Sequence, residues 1–92
     1  MNVCENSALK TIETLKALRV MDITVGKKIK IARIIRDVTQ ADLASLIGCS
    51  YQQIQRYEKG RNPVKASQLH LLAKALKCNW EFFFTPAEGE LK

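Results

Sequence analysis

Apolar positions recur along the chain with two degrees of regularity. Between residues 8 and 20 the stripe is blurred: Ala8, Ile12 and Leu15 share one side at helical spacing, while Leu18 points elsewhere on a 100-degree wheel. A helix is predicted there behind Asn6 or Ser7 as N-cap, followed by a linker at Met21, Asp22, Ile23 and Thr24 with Gly26. From Val25 the pattern sharpens. Val25, Ile29, Ala32 and Arg36 fall on one face, which predicts a core helix of about three turns. Ile31 and Ile34 point away from that face. They are either the edge of a broad apolar stripe or wait for cover by the N-terminal helix or a second subunit.

Thr39 is placed to cap the next helix, with Asp42 three residues on; Leu43, Ala44 and Ile47 form its apolar side and Gly48 ends it. Ser50 with Gln53 then fits a capping box and opens a third helix almost at once. Two short helices joined by a tight turn that begins with glycine match the helix-turn-helix unit. Lys59, Gly60, Arg61, Asn62 and Pro63 read as a loop. A fourth helix runs to Leu76 with Leu69, Leu72, Ala73 and Leu76 on one stripe. Asn79 can cap a last short helix, which Pro86 and Gly89 stop.

Composition adds a size limit and a sign. Ninety-two residues, 47% hydrophobic and 26% charged, suit one domain and exclude most multi-domain enzymes. The formal net charge is +6, and the surplus is concentrated: residues 25–83 hold eleven Lys and Arg against four Asp and Glu. A polyanionic partner is favoured, either nucleic acid or an anionic membrane surface. No apolar run approaches the roughly 18 residues of a membrane span, and the N-terminus lacks the basic-then-apolar pattern of a secretion signal. The chain therefore reads as cytoplasmic. Cys4, Cys49 and Cys78 are odd in number and widely spaced, so free thiols are expected.

Candidate chemistry gathers on the third helix, residues 50–59. Ile54 and Tyr57 fall on its buried side, and Tyr51, Gln52, Gln55, Arg56 and Lys59 gather opposite them. Glu58 lies toward the buried edge, so nothing acidic interrupts that face. Glutamine can pair with the N6 and N7 of adenine, arginine with the O6 and N7 of guanine, and a tyrosine ring can touch a thymine methyl. The plain alternative is a solvated polar face. The helix start at Thr39 and Gln40 offers amide donors to a phosphate, and Arg61, Asn62 and Lys65 supply donors on the other side.

The stretch TQADLASLIGCSYQQIQRYEKGRNPV, preceded by VGKKIKIARIIR and followed by ASQLHLLAKALKCNWEFFF, resembles the lambda-repressor-like, XRE-type helix-turn-helix regulators of bacteria and phages. The resemblance covers roughly residues 25–84. It implies an all-α, compact five-helix DNA-binding domain that acts as a homodimer on a pseudo-palindromic operator. It further implies an ion pair between Arg33 and Glu58, a phosphate contact at Gln40, and base or backbone contacts at Tyr51, Gln52, Gln53 and Arg56. On the same pattern Trp80 and Phe83 are core positions, which leaves Phe82 or Phe84 to seek cover, either in a repacked monomer core or, together with Ile31 and Ile34, at a dimer or partner contact. Lys65 and Lys77 depart from the pattern, the first at a usual Ser or Gly cap, the second at a frequent glycine that requires a positive φ. Residues 1–24 lie outside it.

Domain organisation is thus expected as an N-terminal extension over 1–24, a DNA-binding domain over 25–84 and a flexible acidic tail over 85–92. Base reading is assigned to Tyr51, Gln52, Gln55 and Arg56, and phosphate contacts to Thr39, Gln40, Gln53, Lys59, Arg61, Asn62 and Lys65. His70 has no acid, base or metal-binding partner at suitable spacing, and no catalytic residues, metal or cofactor are expected. Cys49 and Cys78 read as packing residues. The expected partners are double-stranded DNA and a second copy of the chain, with no membrane and no small-molecule ligand. The rival reading is an antitoxin-type module that binds a toxin protein and regulates its own operon; a third is a protein-interaction domain that keeps the fold without DNA binding.

Overall fold

Val25, Ile29 and Ala32 bury together along one side of a helix much longer than the periodicity predicted. In the computed structural model, which describes residues 7–85 and their side chains from residue 11, α1 runs without a break over Ser7–Ile35. The expected linker at residues 21–24 is helical. The reason lies at Gly26 and Gly60. Gly26 is buried inside α1, and a Cβ there would run into the carbonyl oxygen of Tyr57 and come within 2.9 Å of that of Glu58. A Cβ on Gly60 would lie 2.8 Å from the Cα of Ile23. The two glycines let the backbones of α1 and the end of the third helix touch, so the glycine read as a breaker is a packing site. Asn6, Cys4 and all of the expected tail except Thr85 lie outside the described residues.

The remaining helices are α2 (Gln40–Ile47), α3 (Tyr51–Glu58) and α4 (Ala66–Ala75), followed by a 3-10 helix at Trp80–Phe84. With α1 they make up the five helical segments of the all-α fold. α1 packs against α3 and the 3-10 helix, and α2 against α3 and α4. Leu43, Ile54, Leu72, Leu76 and Phe83 fill the centre between them.

Each of the four α-helices is closed in the same way. A residue in the left-handed region, Asp37 (φ 57), Gly48 (φ 72), Gly60 (φ 69) or Lys77 (φ 54), turns the chain. The next N–H then bonds back five residues, Val38 to Arg33, Cys49 to Ala44, Arg61 to Arg56 and Cys78 to Ala73, at 2.9–3.0 Å. Lys77 adopts the positive φ that its place in the pattern requires. Arg36 holds this closure by donating from Nε to Leu76 O and from Nη2 to Lys77 O, both at 3.0 Å.

The aromatic cluster differs from expectation. Phe83 is fully buried, but Trp80 is 59% exposed. Phe83 occupies the core position, and Trp80 forms the wall of an open groove of about 540 Å³ beside α4, edge-on to Phe84 at 5.8 Å. Phe82 is half-buried against the core, and the Lys28 ammonium sits over its ring at 4.8 Å.

Candidate nucleic-acid interface

The start of each helix of the helix-turn-helix unit is fixed by its own side chain. Thr39 Oγ1 accepts from Asp42 N at 3.0 Å, and Asp42 Oδ2 accepts from Thr39 N at 3.4 Å, a complete capping box. Ser50 Oγ accepts from Gln53 N at 3.1 Å and so starts α3 two residues after Gly48. With Ile54 and Tyr57 buried, the helical period turns Tyr51, Gln52, Arg56 and Lys59 to the outside, with Gln53 and Gln55 half-buried between.

Glu58, the one acid on α3, is withdrawn from that face. Its side chain is 4% exposed and is held on two sides. Arg33 donates from Nε to Oε2 at 2.6 Å and from Nη2 to Oε1 at 3.1 Å, while its Nη1 donates to Val38 O at 3.1 Å. Gln40 Nε2 donates to Glu58 Oε1 at 2.9 Å. A carboxylate this enclosed, with a two-point arginine partner, ties α1, α2 and α3 at one knot. The Gln40 amide nitrogen carries a second proton that this contact does not use.

Five of the residues singled out from the sequence meet in one shallow depression of about 230 Å³: Gln52, Gln55, Arg56, Lys59 and Arg61. Two amides and three cations therefore share one outward surface. Tyr51 stands at the same face, where Gln55 Nε2 donates to its hydroxyl at 3.0 Å. The i to i+4 spacing permits this contact, although periodicity does not announce it. Thr39, Gln40, Gln53, Asn62 and Lys65 lie outside the depression. Thr39 and Lys65 are exposed, and Lys65 precedes α4 without a side-chain cap bond.

Of the residues assigned to a dimer or partner contact, Ile31, Ile34 and Phe84 are exposed and Phe82 is half-buried. The blurred N-terminal stripe hid a larger apolar surface, since Ile12, Leu15, Leu18, Val20 and Met21 are all exposed on α1. Burial pushes the Cys49 thiol above its ordinary range. The Cys78 thiol is raised likewise by burial, partly offset by the nearby Arg36 charge. Both are free. Among the described residues no group of three or more His, Cys, Asp or Glu converges as a metal site, and no helix is long and apolar enough to cross a membrane.

Two short capped helices at a glycine turn, the second presenting amides and cations from a body of packed helices, define a helix-turn-helix domain. The chain belongs to the helix-turn-helix family, whose model matches residues 29–83. It is similar to an uncharacterized HTH-type transcriptional regulator of Sinorhizobium medicae, 39% identical over 79 residues, covering 86% of this chain and 57% of that protein. It is also similar to an uncharacterized transcriptional regulator in the ATPase CF(0) region of Rhodospirillum rubrum, 43% identical over 68 residues, covering 74% and 63%. The chain thus spans rather more than half the length of these relatives. Two solved structures share the fold. The restriction-modification controller protein C.AhdI from Aeromonas hydrophila superposes with a TM-score of 0.65 at 24% identity, over 68% of this chain and 96% of that one. The hypothetical transcription factor NHTF from Neisseria gives 0.70 at 18% identity, over 77% and 82%.

Proposed function

We propose that the chain is a sequence-specific, double-stranded DNA-binding transcriptional regulator. It would act as a homodimer on a pseudo-palindromic operator, most simply as a repressor that occupies its site. The observation that carries this reading is the surface of Gln52, Gln55, Arg56, Lys59 and Arg61, from which the acid of α3 has been withdrawn. α3 enters the major groove, where Tyr51, Gln52, Gln55 and Arg56 meet base edges. Thr39, Gln40, Gln53, Lys59, Arg61, Asn62 and Lys65 serve the flanking phosphates. Ile31, Ile34, Phe82 and Phe84 supply the contact between copies. The names of the curated relatives favour the same reading.

Selection of bound duplexes from a random pool, followed by titration at two salt concentrations, tests it. An enriched two-fold motif with half-sites about 34 Å apart, bound roughly 10³-fold above a scrambled duplex, is the expected result. Weak and equal binding of both duplexes would remove the proposal.

A second reading rests on the exposed apolar residues of α1: a protein partner, such as a toxin, binds there while DNA binding serves autoregulation. Leu15→Gln with Leu18→Gln should then abolish capture of a co-expressed small partner and leave DNA binding in place. Retained capture would exclude that surface.

A further inference from the structure

We infer that the Tyr51 hydroxyl makes Gln55 a reader of adenine rather than of purines in general. The inference rests on the reading of α3 as a base-reading helix. A glutamine amide meets a purine edge in either of two ways. Facing adenine, it uses one Nε2 hydrogen for N7 and its Oε1 for the N6 amino group; facing guanine, it needs both Nε2 hydrogens for the two acceptors N7 and O6. In this structure Gln55 Nε2 already donates one hydrogen to Tyr51 Oη, at 3.0 Å. One hydrogen and the carbonyl oxygen remain, which is the adenine set.

The surroundings favour a lasting contact. Both residues lie on one face of the same helix, one turn apart, with Gln55 half-buried in the depression and Tyr51 45% exposed. The phenol has one donor and two acceptor sites, so accepting from Gln55 leaves its own proton for a phosphate or a second base. Restraining a long amide side chain before binding also lowers the rotamer entropy given up when the base arrives. Tyr51 is therefore a positioning residue for the base under Gln55, whatever its ring touches.

Selection from a random duplex pool with the full chain, its Tyr51→Phe variant and its Gln55→Ala variant tests the inference, with melting curves to show that Tyr51→Phe folds as the parent does. Gln55→Ala should lose preference at one position in each half-site and so mark the base that Gln55 reads. The parent should select adenine there. Tyr51→Phe, which keeps the ring, should admit guanine at that position, the adenine-to-guanine ratio there falling about tenfold. An unchanged ratio in Tyr51→Phe, a guanine preference in the parent, or no position marked by Gln55→Ala would each overturn it. Failure of the parent to enrich any motif is a different result, and removes the regulator reading on which the inference stands.

Discussion

Two backbone positions show how single residues set the local terms. Lys77 turns the chain at φ 54 where a side chain crowds its own carbonyl, and Arg36 bonds to the carbonyls on either side of the turn. Lys77→Gly keeps those carbonyls and relieves the crowding, against the extra unfolded-state freedom of glycine. A gain of about 0.5–1 kcal/mol in urea unfolding is expected. Gly26 is the opposite case, with ordinary helical φ and no room for a methyl between α1 and the last turn of α3. Gly26→Ala should lower stability by about 1–3 kcal/mol, read in the same experiment. The sequence pattern flagged the strain at Lys77 because a glycine is frequent at that place. It misread Gly26, because the neighbour that requires a glycine there comes from residues more than thirty positions away.

At the scale of elements, the helix-turn-helix unit was legible because its determinants are local. Caps at Thr39 and Ser50, the turn at Gly48 and the buried Ile54 and Tyr57 lie within one short stretch, and each acts on its immediate neighbours. Ser50→Ala removes the side-chain acceptor for Gln53 N and should destabilise the domain by about 1 kcal/mol, seen as a lower melting temperature. The knot of Arg33, Gln40 and Glu58 joins three helices instead of one. Arg33→Ala would strand a carboxylate whose side chain is 4% exposed, and about 3 kcal/mol should be lost in urea unfolding. The reading of α1 failed at this scale. Broken at Gly26, Leu18 looked out of place; in one continuous helix Leu15, Leu18, Val25, Ile29 and Ala32 follow spacings of three, four and seven on a single seam. Trp80 was misread as well: it stands at the first position of the 3-10 segment and is exposed, while Phe83 alone of the two takes the core position.

For the whole molecule the charge distribution supplies the testable quantity. Arg61 lies in the depression with Gln52, Gln55 and Arg56, the side chains proposed to read bases, but on the loop after α3, which suits it to a phosphate. Arg61→Ala should weaken binding to all duplexes alike and flatten the slope of log affinity against log salt by about 0.9 for each phosphate that is no longer neutralised. Arg56→Ala should instead act at one base position, with a loss of about 1–3 kcal/mol and little change in slope. Titration of a selected and a scrambled duplex at several salt concentrations separates the two patterns.

The uninterrupted course of α1 has a mechanical consequence. From Gly26 to its first turn the helix extends about 28 Å, with no joint between. It is a lever whose fulcrum lies on the last turn of α3. A swing of 10° about that fulcrum carries the far end by about 5 Å, and the reverse holds too: whatever fixes the far end fixes the angle at which α3 is presented.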